Sequence, residues 1–255
     1  MVRMITVVAL VVAALAVIPS APAQPALGPA LDLQSLPEVA AEPLPRGLSV
    51  ADLVDSLAVG QGELNPFPLV VPAGPNQVAL AWTLCTPRRC TATVAVVLIA
   101  DAKPRIVKKR KLPDQKKTFA VDGVQIDTLT LADLDGDGES ELVIVYRVTE
   151  PPRPALGSRL KQRAAVYNLP AFSPLFDLTL RQSGAGSEMA CDSQWVPGKD
   201  AAGKPQFVQR KICAIPDCAG ETAPPCAPAR TTDTLWRYIP RKDRFQPGAP
   251  VVVKP

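Results

Sequence analysis

The fold is decided by one stretch of sequence, LTLADLDGDGESELVIV, which covers residues 129–145 and places an acidic, glycine-containing turn between two strand-like runs. Before the turn, Leu129 and Leu131 alternate with threonines, as in a half-buried strand. After it, Leu142 to Val148 is almost continuously apolar, as in a strand that is buried on both faces. The stretch therefore predicts a strand–loop–strand hairpin.

The loop of this hairpin carries oxygen ligands at alternate positions, as calcium binding requires. Calcium takes six to eight hard oxygens at about 2.3–2.6 Å. The predicted ligands are Asp133, Asp135 and Asp137 through their carboxylates, Glu139 through its backbone carbonyl, and Glu141 through a carboxylate, directly or by way of water. Gly136 and Gly138 permit the positive φ angles that bring such ligands together. The alternative is an Asp-Gly-rich turn that holds no ion.

Two calcium-loop types can be compared at this position. An EF-hand needs a bidentate Glu at the twelfth loop position and helices on both sides, whereas this chain has Ile144 there and strands as flanks. The order DLDGDGxxELV, from Asp133 to Val143, resembles the FG-GAP or VCBS-type repeat of exported and surface β-propeller proteins. In that family these loops bind calcium and join strands of a blade, which implies calcium at the five residues named above.

The motif occurs once, and family propellers need several blades of about four strands each. Short strand-like runs with frequent turn signals continue along the rest of the chain. We therefore expect an all-β fold, a small disulfide-stapled antiparallel β domain, with a partial propeller-like arrangement as the alternative.

Composition limits the chemistry. The chain has no histidine, which excludes Ser-His-Asp triads, Cys-His pairs and His-ligated zinc. It has 29 prolines in 255 residues, which disfavours long helices. The net charge of +4 is mild and does not imply a nucleic-acid partner.

The N-terminus predicts export. Arg3 precedes an apolar run from Ile5 to Ile18, and Ala21-Pro22-Ala23 forms a small-residue cleavage site. The run is shorter than the roughly 20 residues of a membrane span. We expect a signal peptide over 1–23, no transmembrane segment after its removal, and a periplasmic, cell-surface or secreted location.

Six cysteines, an even number, suit an oxidising compartment. Sequence alone allows 15 connectivities. We expect three local bridges, which join Cys85 to Cys90, Cys191 to Cys213, and Cys218 to Cys226.

Domain boundaries follow from composition. Residues 24–75 form a Pro/Ala-rich leader, in which Ser49 and Asp52 can cap a short helix over 49–58. Residues 76–245 form the β-rich domain, and 246–255 a loose tail. Trp82, Trp195 and Trp236 lie in or beside apolar strands, so core packing is expected rather than a carbohydrate platform.

A basic run covers residues 103–117 and includes Lys108, Lys109, Arg110 and Lys111. We interpret it as a solvated edge strand protected by lysines. The alternative is a surface for an anionic envelope polymer. Nucleic acid is not expected, because interleaved aromatic side chains are missing from the run.

The resulting hypothesis is an exported calcium-binding β domain with a binding or surface-structural role and no catalysis. Its partner, a cell-envelope or extracellular protein or polysaccharide, is not identified by the sequence. The alternative is an exported carboxylate- and metal-dependent hydrolase, which would need acidic partners such as Asp122, Asp127 or Asp177 beside the loop.

Overall fold

The structure, a computed structural model, describes most of the chain from residue 47 onward. The described residues are 33, 44, 47–57, 63–64, 68–87, 89–100, 103–112, 123–134, 137–153, 157–169, 171–183, 190–214 and 230–253. The predicted signal peptide, most of the leader and the Asp135-Gly136 step of the acidic loop lie outside these ranges.

The fold is mostly antiparallel β, as predicted, with one short helix, α1 (Val50–Leu57). The first sheet contains β1 (Glu63–Leu64), β2 (Leu69–Gly74), β3 (Gln77–Thr86), β4 (Arg89–Ala100) and β5 (Lys103–Leu112). Its order is β1-β3-β4-β5, and β2 also pairs with β3. Within the described ranges, no helix has the length and apolar character needed to cross a bilayer.

The second sheet is a meander in which successive strands pair with one another. Its strands are β6 (Gly123–Ala132), β7 (Glu141–Arg153), β8 (Gly157–Asn168), β9 (Ser173–Gln182), β10 (Ala190–Lys199), β11 (Pro205–Ala214), β12 (Arg230–Ile239), β13 (Arg244–Pro247) and β14 (Val251–Val253). A 3₁₀ turn, Pro240–Lys242, joins β12 to β13, and β14 also pairs with β12. The described strands thus form two sheets and are not divided into four-stranded blades.

The second sheet bends where β9 meets β10. Only two residue pairs join these strands in the described ranges, Cys191 with Gln182 and Asp192 with Arg181. Beyond this junction the later strands turn back, so that β13 contacts β9. Strands β10–β13 therefore form a separate layer that packs on β7–β9.

Strand β7 lies in the middle layer and is buried on both faces. Ile144 and Tyr146 belong to a core shared with the first sheet, whereas Val143 and Val145 belong to the core shared with β10–β13. The near-continuous apolar run after residue 141 predicted this double burial, and the prediction is confirmed.

The core between β7–β9 and β10–β13 is aromatic. Phe176 packs with Trp195 at a centroid distance of 4.7 Å, and Phe207 packs with Phe245 at 4.7 Å. Trp82 and Trp195 are buried and Trp236 is partly buried, so the tryptophans pack in cores as predicted.

A bulge in β6 creates a polar link between the two sheets. The register of β6 against β7 shifts between Ile126 and Thr128. The buried N–H of Ile126 donates to Thr83 Oγ1 of the first sheet at 3.3 Å. An unpaired N–H at this depth would cost about 1–3 kcal/mol, so the threonine stabilises the contact between the sheets.

Helix α1 covers the outer face of the first sheet with Leu53, which is fully buried. Ser49 and Asp52 form a reciprocal capping box, in which Asp52 N–H donates to Ser49 Oγ at 3.0 Å and Ser49 N–H donates to Asp52 Oδ2 at 3.1 Å. The side-chain hydrogen bond from Ser49, helped by the backbone one, lowers the pKa of Asp52.

Two of the predicted disulfides are confirmed. Cys85 bonds to Cys90 across the β3–β4 hairpin, and Cys191 bonds to Cys213 across β10 and β11. Cys218 and Cys226 lie outside the described residues.

The β structure extends past the predicted limits of 76 and 245. Strand β2 lies within the predicted leader. Its residue Val71 is buried in the core between the sheets, and this burial stabilises the strand. Strand β14 lies within the predicted loose tail, where Val252 pairs with Thr232 of β12. The segments predicted as leader and tail therefore each contain a strand.

Candidate functional site

The acidic loop joins the ends of two long paired strands. Strand β6 ends at Ala132, and Glu141 is the first residue of β7 and pairs with Ala132. The strand–loop–strand geometry predicted for this stretch is present.

Backbone N–H groups orient three of the loop carboxylates. Leu134 N–H donates to Glu141 Oε2 at 2.8 Å, Gly138 N–H donates to Asp133 Oδ2 at 3.1 Å, and Glu139 N–H donates to Asp137 Oδ1 at 2.8 Å. Gly138 has a φ of 90°, the conformation for which glycine was expected. In the described part of the loop, backbone N–H groups therefore hold these three carboxylates in place.

Burial differs among the predicted ligands. Glu141 is only 5% exposed, whereas Asp133, Asp137 and Glu139 are exposed, and Asp135 lies outside the described residues. Among the described residues, no three acidic, cysteine or histidine side chains converge in a way that could hold a metal. The predicted donor set consists of carboxylate oxygens and one backbone carbonyl, which are hard oxygen ligands of the kind that calcium prefers. A carboxylate accepts about four hydrogen bonds or cations, so one backbone N–H contact is compatible with a bound ion.

Residues 103–112 of the basic run form β5, which is the edge strand of the first sheet as described, and residues 113–117 lie outside the described residues. Lys108, Lys109, Arg110 and Lys111 are all exposed, and Lys108 Nζ donates to the Ala171 carbonyl at 2.7 Å. Because successive strand residues point to opposite faces, the four cations are divided between two faces. This arrangement agrees with the interpretation as a charge-protected edge.

Of the acidic residues considered for hydrolysis, two have cationic partners. Asp127 accepts from Arg147 Nε at 2.8 and 3.0 Å, and Asp177 accepts from Arg163 Nε at 3.0 Å and from Tyr146 OH at 2.8 Å. Asp122 lies outside the described residues. Burial, with a smaller effect from the Asp177 charge, raises the pKa of Tyr146, which keeps its hydroxyl a donor.

Sequence reasoning missed a cleft at the bend of the second sheet. It has a volume of about 430 Å³ and is lined by Asp127, Arg147, Leu160, Gln162, Arg181 and Asp192, among others. These residues come from five strands, so only the register between strands brings them together. No short sequence motif contains these residues, because they lie on five strands that are separated along the chain.

The chain matches no family model, no curated protein and no solved structure.

Proposed function

We propose that the protein is an exported β domain that binds calcium in the 133–141 loop and serves a binding or structural role outside the cytoplasm. The observation that carries this proposal is the loop itself, in which backbone N–H groups orient Asp133, Asp137 and Glu141 on one short hairpin connection. The resemblance of Asp133 to Val143 to FG-GAP or VCBS-type loops supports the same ion.

The ion would act on the hairpin that begins the second sheet. Carboxylates that share one short loop repel one another, and a bound divalent cation would offset that repulsion. Glu141 would couple the ion to the core. It is the first residue of β7, its side chain is buried, and it accepts a hydrogen bond from the N–H of the buried Leu134. Calcium bound by the folded state alone stabilises the fold by about 2.7 kcal/mol at 100 times its Kd.

Export is supported by the cysteines as well as by the predicted signal peptide. Two disulfides lie among the described residues, and such bonds are typical of oxidising compartments. An exported hairpin would also meet calcium without competition from cytoplasmic buffering.

The test is thermal unfolding of the mature protein, from Gln24 onward, with added calcium and with chelator. Calcium is expected to raise the melting temperature, and Asp133→Asn combined with Asp137→Asn is expected to abolish the rise. The loop ligand that lies outside the described residues is tested by Asp135→Asn, with the same expectation.

Asp200→Asn provides a matched control. Asp200 Oδ1 accepts from Ala202 N–H at 2.8 Å and from Lys204 N–H at 2.9 Å in the β10–β11 turn, so it is also an aspartate that orders a hairpin. This variant should keep the full response to calcium. A melting temperature that does not respond to calcium in the unsubstituted protein, or a response lost equally in Asp200→Asn, would refute the proposal.

A further inference from the structure

The cleft at the bend of the second sheet lies apart from the acidic loop. Arg147 is six residues along β7 from Glu141, a separation of roughly 20 Å at about 3.3 Å per residue. A function of the cleft therefore does not rest on calcium binding.

The register places polar side chains in one row across the sheet. Arg147 of β7 pairs with Gln162 of β8, Gln162 pairs with Arg181 of β9, and Arg181 pairs with Asp192 of β10. The two arginines are thus two strands apart, about 9.5 Å at the usual strand spacing. Gln162 lies between them, so the row presents a regular series of donors and acceptors.

Two β-bulges shape this row. Asp127 is the extra residue where the register of β6 shifts, and Leu180, next to Arg181, is the extra residue of β9 opposite Gln162 and Arg163. Bulges redirect side chains and are frequent beside functional sites. They account for two of the lining residues, Asp127 and Arg181, at positions that regular alternation would not predict.

Each arginine of the cleft is held by one nitrogen only. Arg147 Nε donates to Asp127, and Arg181 Nε donates to Asp192 Oδ1 at 2.7 Å. Within the described ranges, no hydrogen bond involves the terminal Nη groups of either residue. Each carboxylate therefore fixes the direction of a guanidinium whose Nη groups make no hydrogen bond to another described residue.

A comparison within the same sheet shows that this pairing is not general. Arg210 and Asp233 form a two-bond fork, with Nε to Oδ1 at 2.9 Å and Nη2 to Oδ2 at 2.8 Å. In that pair both carboxylate oxygens accept from the guanidinium, and neither residue lines the cleft. The two cleft arginines differ because only Nε of each donates to a carboxylate, which leaves the Nη groups able to donate to a ligand.

The charges that line the cleft indicate the class of ligand that it would bind. The lining contains two arginines and two aspartates, so an anion would meet carboxylates as well as guanidiniums. A ligand with vicinal hydroxyls satisfies both, since each hydroxyl accepts from an arginine and donates to an aspartate or to Gln162. Leu160, 42% exposed at the cleft wall, offers an apolar contact for C–H groups.

We propose that this cleft binds a neutral carbohydrate, with Arg147, Arg181, Asp127 and Asp192 holding its hydroxyls and Gln162 between them. The volume of about 430 Å³ falls within the range of roughly 300–1,000 Å³ found for small-molecule sites.

The proposal is tested by NMR titration of the mature, isotope-labelled protein with maltose, cellobiose and N,N′-diacetylchitobiose, and separately with citrate and inorganic phosphate. At least one neutral sugar is expected to shift the amide signals of residues 160–162, 181–183 and 190–192 in a saturable manner. Binding by citrate or phosphate alone would overturn the proposal in favour of an anion site, and no shift with any probe would also overturn it.

Arg181→Met removes the charged donors at a position where neither partner is buried, since Arg181 is 61% and Asp192 67% exposed. Affinity for the sugar is expected to fall about 10- to 100-fold, the loss that follows removal of hydrogen bonds to a charged group. Arg147→Met combined with Asp127→Asn tests the other pair without leaving a lone carboxylate.

The matched control is Arg210→Met, which removes an arginine of the same sheet from outside the cleft. Its affinity should equal that of the unsubstituted protein. Equal weakening in Arg210→Met and Arg181→Met, or full affinity in Arg181→Met, would refute the assignment of the cleft.

Discussion

Removal of a disulfide should destabilise the protein more when the bond closes a longer stretch of chain. The two variants are Cys191→Ala with Cys213→Ala, and Cys85→Ala with Cys90→Ala. The chain-entropy relation gives about 3.4 kcal/mol for the sequence separation of 22 and about 2.1 kcal/mol for the separation of 5. The first variant is therefore expected to be less stable by roughly 1.3 kcal/mol.

Urea unfolding of both variants under identical conditions measures this difference. Each variant loses two sulfur atoms, and the greater burial of Cys191 adds to the difference in the same direction. Unchanged slopes in urea would show that both variants expose the same surface on unfolding. An equal loss in the two variants, or a larger loss for the Cys85–Cys90 pair, would refute the reasoning.

Three further predictions concern other parts of the chain. Thr83→Val should cost about 1–3 kcal/mol in urea unfolding, because it leaves a buried backbone N–H without an acceptor, whereas Thr83→Ser should cost clearly less. The pKa of Asp52 is lowered in the folded state, so its contribution to stability is present above its unfolded pKa and is lost as pH falls through the folded pKa. The acid limb of a pH–stability curve should therefore flatten in Asp52→Asn, and a curve unchanged by this variant, or by Ser49→Ala, would contradict the capping role. Peptide mapping of the non-reduced protein should recover Cys218 linked to Cys226, and a linkage of either to any other cysteine would contradict the expected pairing.

Features of the fold that depend on local pattern could be predicted from sequence. The double burial of β7 follows from the apolar run that begins at Leu142, and the capping box follows from the spacing of Ser49 and Asp52. The Cys85–Cys90 bond follows from the short turn between two strand-like runs.

Features that depend on register could not be predicted in this way. The bend of the second sheet lies where β9 and β10 share only two residue pairs in the part of the chain that the structure describes, and no local sequence signal encodes this short pairing. The cleft combines Asp127, Arg147 and Arg181, which are distant in sequence and are aligned by two bulges. The acidic loop is the opposite case, because its candidate ligands are neighbours in sequence.

The meander of the second sheet has a consequence for how the chain reaches its folded state. Each of the strands from β6 to β13 pairs with its neighbour in sequence, so most strand pairing closes short loops at small entropic cost. Pairing between strands that are neighbours in sequence allows the sheet to form one hairpin after another. Leu33 is the exception, since it is 2% exposed in the core that contains Phe176 yet lies far from that core in sequence. Its docking closes the longest loop of that core, so we expect Leu33 to dock after the strands have paired.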